Sequence, residues 1–204
     1  MTKISNLLGV VLAGGQSRRM GQDKLFVELG GELLIRRAVK RLKQQIEHVT
    51  IVGPKEKTLL SKLGASHIED NHEGFQGPLA GIFAGLSNAE VHGFEGIVTI
   101  AADTPFFPDN FVKRIIEPRS KYFPQEEPVT IARSPDGLHP VFGSWSVSAV
   151  PKVLKSLDNN VRKVMAAADD VGWEAVDFEV SGIDPFFNIN TPEDLKRAEQ
   201  EVAK

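Results

Sequence analysis

The run Leu7-Leu8-Gly9-Val10-Val11-Leu12 carries no polar side chain and closes on Gly14-Gly15. Such a run, β-branched and ended by glycines, reads as a strand buried on both faces. A strand without a solvent face needs covering layers above and below, so this segment alone points to a layered α/β fold. The rest of the first half agrees. Leu33, Leu34, Ala38, Val39, Leu42 and Ile46 recur at helical spacing. Val49–Val52 is a second strand, stopped by Gly53-Pro54, and a helix is expected over Lys57–Leu63 with a short strand near His67–Glu69. Pro78 to Asn88 suits a helix with proline in its first turn. Gly96–Ala101 is another buried strand, ending at Asp103-Thr104-Pro105, with a helix from about Asp109 to Glu117 after it. Strands separated by helices imply right-handed crossovers. The expected fold class is α/β: a doubly wound, mostly parallel sheet with a mixed or antiparallel edge.

The second half is less regular. Val129–Ala132 and His139–Trp145 read as strands, and Val147–Leu157 and Val161–Ala168 as helices. A strand at Glu174–Phe178 leads to Phe186–Asn190. The last helix has a clear start: Thr191 as N-cap, Pro192 at the first position, and Asp194 completing a capping box. With 204 residues, one domain is expected over 1–204, built of halves 1–117 and 128–204. The seam lies in Glu117–Pro128, whose composition resists regular structure.

Charge and composition narrow the function. Lys plus Arg number 24 against 27 Asp plus Glu, a net charge of −3, which argues against bulk electrostatic binding of nucleic acid. There is no cysteine, excluding disulfides, thiolate metal sites and cysteine nucleophiles and suiting a reducing cytoplasm. No segment reaches the roughly 18 apolar residues of a membrane helix. The expectation is a cytoplasmic protein with no membrane partner.

Chemistry is concentrated in Leu12-Ala13-Gly14-Gly15-Gln16-Ser17-Arg18-Arg19-Met20-Gly21-Gln22-Asp23-Lys24. Glycines without a Cβ let backbone N–H groups approach a polyphosphate closely. Lys24 with Arg18 or Arg19 would offset its charge. The spacing is neither a Walker loop nor the dinucleotide fingerprint. Asp103 ends a hydrophobic parallel strand, on the edge where open α/β sheets bind ligands. A hard carboxylate beside a phosphate loop suits Mg²⁺.

Other positions are open to two readings. Asp70 contacts nucleotide or forms a turn. Gly81 and Gly85 serve close helix packing, while Gly77-Pro78 sets an entry turn beside the ligand. His139, before Pro140, is a structural histidine or a substrate contact. Arg162 and Lys163 open a helix and are solvated or hold an anionic second substrate. Asn188 and Asn190 face the cleft or form the turn before the last helix. The basic face Arg36, Arg37, Lys40, Arg41 and Lys43 is read as solvated, and His48, His67, His72 and His92 lack metal-ligand spacing.

With these residues assembled, the sequence resembles the molybdenum cofactor guanylyltransferases, within the wider nucleotidyltransferases. The resemblance runs through the LAGG loop with Ser17-Arg18-Arg19-Met20-Gly21 and Lys24, then Gly77-Pro78-Leu79-Ala80-Gly81, Asp103-Thr104-Pro105, His139-Pro140 and Asn188-Ile189-Asn190-Thr191-Pro192-Glu193-Asp194-Leu195. It implies a Rossmann-like nucleotidyltransferase fold and transfer of GMP from GTP to the terminal phosphate of molybdopterin-type cofactor, with Mg²⁺ and release of pyrophosphate. It places the nucleotide on Leu12, Ala13, Gly14, Gly15, Lys24, Asp70 and Asp103, with Lys24, Asp103, Arg18 and Arg19 catalytic. Asp103 is the expected Mg²⁺ ligand and Asn190 a further metal or acceptor contact. The acceptor falls to Gly77, Pro78, His139, Arg162, Asn188 and Asn190. Other cofactor-biosynthesis proteins and recipient molybdoenzymes are the implied transient partners. Where some relatives have an Asn after the second strand, this chain has Val52-Gly53. The Gly14-Gly15 pair favours the guanylyl branch over cytidylyl enzymes; the competing readings are a cytidylyltransferase and a non-catalytic nucleotide or cofactor carrier.

Overall fold

The computed structural model describes residues 3–14, 27–53, 63–69, 77–121 and 128–203. In chain order the strands are β1 (Ile4–Leu12), β2 (Glu28–Leu29), β3 (Glu32–Leu33), β4 (Ile46–Gly53), β5 (Ser66–Glu69), β6 (Gly96–Ala101), β7 (Val129–Ser134), β8 (Gly137–Ser146) and β9 (Trp173–Asp177). The α-helices are α1 (Leu34–Lys43), α2 (Pro78–Val91), α3 (Phe111–Ile116), α4 (Val150–Asp158), α5 (Val164–Val171) and α6 (Pro192–Val202). Seven strands form one sheet in the order β5-β4-β1-β6-β8-β7-β9. β5, β4, β1 and β6 are mutually parallel. β8 runs against both of its neighbours, β6 and β7, so β7 and the β9 strand parallel to it keep the common direction.

Period-two alternation divides the core. Leu8, Val10 and Leu12 of β1 join α2, α4 and α5 on one face, while Leu7 and Val11 join α1 and α3 on the other. Helices therefore cover both faces, as the apolar run of β1 requires. Two glycines mark where a helix rides close to the sheet. A Cβ on Gly81 would stand 2.7 Å from Leu12 Cδ2, and one on Gly85 2.9 Å from Val10 Cγ2. The helix-packing reading of this pair holds, and it seats the start of α2 beside the end of β1.

Several boundaries differ from the sequence reading. The helix expected over Asp109–Glu117 is α over Phe111–Ile116 and then 3₁₀ over Glu117–Lys121, where Pro118 cannot donate to an α-helical ladder. The helix expected from Val147 begins with a 3₁₀ turn and becomes α only at Val150, with Pro151 in its first turn. The one expected from Val161 starts at Val164, so Arg162 and Lys163 precede it rather than open it. The strands flanking the Glu117–Pro128 seam share one sheet; residues 122–127 of that seam, and 57–62 of the expected helix before Leu63, lie outside the described residues.

The basic face of α1 is only partly solvated. Arg37 donates to the Leu29 carbonyl at 3.0 Å and pairs with Glu32 at 3.7 Å. Arg41 donates to the Phe107 carbonyl and pairs with Asp109 at 3.1 Å. One turn apart, these two side chains tie α1 to the β2–β3 hairpin and to the segment after β6. No helix among the described residues is long and apolar enough to cross a membrane.

Candidate active site

The chain moves from β1 out to β4 and β5, then returns to β6 on the other side of β1. That reversal is the topological switch point, where a crevice opens beyond the strand ends. Leu12, the last residue of β1, pairs with Val52 on one side and Ala101 on the other. Past it, Ala13 N donates to Val52 O at 2.8 Å, and Ala102 N donates to Leu12 O at 3.1 Å. Leu12, Ala13 and Gly14 therefore lie one strand away from Ala101-Ala102-Asp103. Exposure rises from buried Leu12 through half-buried Ala13 to exposed Gly14. Among the described residues, a Cβ on Gly14 would meet nothing within 4 Å. By contrast, a Cβ on Gly53 would come within 3.1 Å of the Ala13 Cβ. The glycine standing where some relatives have an asparagine lets β4 end close against the β1 loop.

α2 brings its N-terminus to the same edge. Gly77 takes φ +99, which a side-chain-bearing residue rarely adopts, and Pro78 comes next in the first turn. The unsatisfied N–H groups and positive dipole end of a 14-residue helix thus lie beside the end of β1. Gly77-Pro78 forms the turn into α2.

Asp103 is half-buried, just past β6. Its backbone oxygen accepts from Ile189 N at 3.0 Å. This bond draws the segment Asp184–Asn190 across the crevice, although none of its residues is in a strand. Fully buried Ile189 is packed with Val27, Leu29, Leu34 and Ala198. The adjoining Phe187 ring carries Arg197 at 4.8 Å. Asn188 is exposed and Asn190 half-buried, on either side of that anchor. The predicted capping box is present: Asp194 N donates to Thr191 Oγ1 at 3.1 Å, and the Asp194 carboxylate accepts from Thr191 N at 2.9 Å. The same carboxylate oxygen also accepts from Asn190 N at 3.0 Å. Burial pushes the Asp194 carboxyl up, but these backbone and side-chain bonds together with Arg197 outweigh it and hold it below its ordinary value. A helix cap thus fixes the Asn190 backbone, a role the cap signature could have suggested.

Of the other expected site residues, His139 lies at this edge. His139 pairs with Ala132 near the end of β7. The register jumps between Ile131 and Ala132, leaving Pro140 to Phe142 as a bulge on β8, where a proline is tolerated. His139 Nε2 lies 2.8 Å from Ser134 Oγ, and its ring packs on Phe186 with centroids 4.5 Å apart. Burial lowers the His139 pKa below 6.5, with Asp184 and Asp136 opposing that shift. The folded chain therefore binds this proton less readily than the unfolded chain. The stability that neutral His139 confers is full above pH 6.5 and is lost as pH falls through the depressed folded value. Between pH 7.5 and 5 the melting temperature of wild type should fall more than that of His139→Gln; parallel curves would remove this assignment.

α5 leads through Gly172, whose carbonyl accepts from Val129 N at 2.8 Å, to the starts of β7 and β9. Arg162 and Lys163, just before its start, are exposed. No direct contact joins Arg162 to the other candidates among the described residues. Gly15, Arg18, Arg19, Lys24 and Asp70 lie outside the described residues. Two groups escaped the sequence reading: the Thr104 hydroxyl next to Asp103, and Oδ2 of Asp184, both buried without a hydrogen-bond partner among the described residues. Isolated Thr and Asp residues beside prolines read as turn formers, and no spacing singles them out.

Comparisons with known proteins bear on the family and the fold. The model of the MobA-like NTP transferase domain matches residues 9–171. A molybdenum cofactor guanylyltransferase of Rhizobium johnstonii is 36% identical over 203 residues, covering 96% of this chain and 93% of that one. The crystal structure of molybdopterin-guanine dinucleotide biosynthesis protein A from Archaeoglobus fulgidus superposes with a TM-score of 0.77 at 28% identity, covering 97% and 99% of the two chains. At the level of fold alone, 4-diphosphocytidyl-2C-methyl-D-erythritol synthase of Anaerococcus prevotii superposes with a TM-score of 0.75 at 13% identity, over 99% and 97% of the chains. On this full-length agreement the chain belongs to the MobA-like NTP transferases, in the family of molybdenum cofactor guanylyltransferases.

Proposed function

We propose that this chain transfers GMP from GTP to the terminal phosphate of molybdopterin cofactor at the crevice beyond β1 and β6, in a cytoplasmic setting. The observation that carries the reading is convergence at one sheet edge: exposed Gly14 past the end of β1, a helix N-terminus, the residue Asp103 and a tethered asparagine segment. An acceptor phosphate oxygen attacks the α-phosphorus in line. The new P–O–P bond forms as the bond to the β-phosphate oxygen breaks, and pyrophosphate leaves with that electron pair. A phosphate nucleophile is already ionised near neutral pH, so no general base is needed.

The chain's work is to position and to offset charge. Ala13 and Gly14 supply backbone with room for a phosphate, and the start of α2 supplies a favourable dipole. Lys24 with Arg18 or Arg19 neutralises the β- and γ-phosphates and the departing pyrophosphate, and Asp70 lies on the nucleotide side. The donor chemistry fits magnesium: Asp103 carries a carboxylate and Asn190 an amide oxygen, on segments joined by the bond from Ile189 N to Asp103 O, and Mg²⁺ takes few protein oxygens beside substrate phosphates. Asp103, with Asn190, would hold Mg²⁺, which supplies Lewis-acid and templating chemistry to the phosphates. Asn188, His139 and Arg162, with Gly77-Pro78, receive the acceptor, and cofactor-synthesis proteins and molybdoenzymes are transient partners.

The test is pyrophosphate release with each of the four nucleoside triphosphates, with and without molybdopterin cofactor. Release with GTP that requires the cofactor is expected. Preferential release with CTP would replace the guanylyl reading with a cytidylyl one. Nucleotide binding without release would favour a carrier.

A further inference from the structure

The segment that carries Asn188 and Asn190 is held at its far end by Asp184. This carboxylate is only 7% exposed. Its Oδ1 accepts from Phe186 N at 2.7 Å, and its backbone oxygen accepts from Phe187 N at 3.0 Å, closing a tight turn. The turn directs Phe186 into a cluster with Phe142 at 4.9 Å and Phe178 at 5.2 Å, under the His139 ring. Three residues beyond Phe186, Ile189 N reaches the Asp103 carbonyl. Yet Asp184 Oδ2 is buried with no partner among the described residues. A buried carboxylate oxygen left unbonded is costly. One oxygen thus closes the turn while the other forgoes a bond, so the side chain is retained for the turn it makes.

We propose that Asp184 is a positioning residue for the acceptor: by fixing the turn under His139 it sets where Asn188 stands relative to Asp103, while the Asn190 backbone is held separately by the Asp194 cap. It touches neither substrate. The inference rests on the GTP-to-molybdopterin reading above. The nucleotide side, built on β1 and α2, is anchored independently of this turn. Loosening the turn should thus be felt by one substrate only.

The experiment measures steady-state pyrophosphate release with the full chain as wild type, Asp184→Ala and Asp184→Asn, varying GTP and molybdopterin separately. Asp184→Ala should raise the acceptor KM about tenfold, with the GTP KM within about twofold of wild type. Asp184→Asn keeps an oxygen for Phe186 N–H and should recover most of the loss. It also guards against misfolding of the alanine variant, and Mg²⁺–GTP should shift its melting temperature as much as that of wild type. If both KM values moved together, or neither moved while stability fell, Asp184 would be a structural residue only. Failure of Asn to restore what Ala loses would likewise overturn the turn-anchoring role. A wild-type chain that released no pyrophosphate would overturn the functional reading and this role together, whereas an active wild type with an unchanged acceptor KM in both variants would overturn this role alone.

Discussion

Asp103→Ala should remain folded and lose at least about a hundredfold in pyrophosphate release from GTP and cofactor. The two halves of that expectation have separate causes. Two of the bonds joining Asp103 and its neighbour to the scaffold use main-chain atoms: Ala102 N to Leu12 O and Ile189 N to Asp103 O. Alanine keeps both, so the crevice retains its shape and the melting temperature should change little. What disappears is the half-buried carboxylate at the switch point. Without it a phosphate dianion must approach a polyphosphate with one fewer group to organise the charge, and electrostatic preorganisation is where phosphoryl-type transfer gains most. Asp103→Asn sharpens the comparison, because it preserves size and hydrogen-bonding capacity while removing the charge. It should be nearly as impaired as alanine. Either variant working within threefold of wild type, with normal GTP and acceptor KM, would remove Asp103 from the reaction.

The parts of this site legible in the sequence are those set by local rules. The β1 run declares itself because both its faces are apolar, and the residues just past the end of such a strand lie at the binding edge. Thr191 and Asp194 announce a helix start through reciprocal bonds three residues apart. Gly81 and Gly85 fall on one helix face, and that spacing is meaningful because β1 passes directly beneath. The course of Asp184–Asn190 is different. It has no ladder partners and takes its path from distant groups: the Asp103 carbonyl, the His139 ring and the cluster around Ile189. No periodicity encodes such a path. The start of α5 shifted for a related reason, since Val161–Lys163 continues the helical pattern in sequence while the chain there is extended up to Lys163 at ψ 124. The basic α1 face misled through composition alone; Arg37 and Arg41 are tethered to carbonyls that lie 8 and 66 residues away.

Two glycines give opposite predictions for the same substitution. A Cβ on Gly143, in the middle of β8, would stand well under 3.0 Å from the Thr130 carbonyl oxygen. That atom belongs to the paired strand β7 and cannot swing aside as a side chain can. Gly143→Ala must therefore push β7 and β8 apart, at a cost of about 3 kcal/mol. In a chain of this length that corresponds to a melting temperature lower by roughly 6–12 °C. Well below that transition its GTP KM should be that of wild type, because the displaced pair lies away from the β1 loop. Gly14→Ala should do the reverse. Its Cβ meets nothing within 4 Å among the described residues and its backbone does not require a positive φ, so stability should stay within about 1 kcal/mol of wild type. The methyl group instead occupies the approach to the backbone at the end of β1. There a phosphate would be forced outward from the loop and from the α2 dipole, and the GTP KM should rise about tenfold, about 1.4 kcal/mol of lost binding. Thermal melts and GTP titrations on the two variants separate the explanations. A Gly14→Ala chain that bound GTP normally would move the phosphates off this loop, while a Gly143→Ala chain of undiminished stability would contradict the β7–β8 pairing itself.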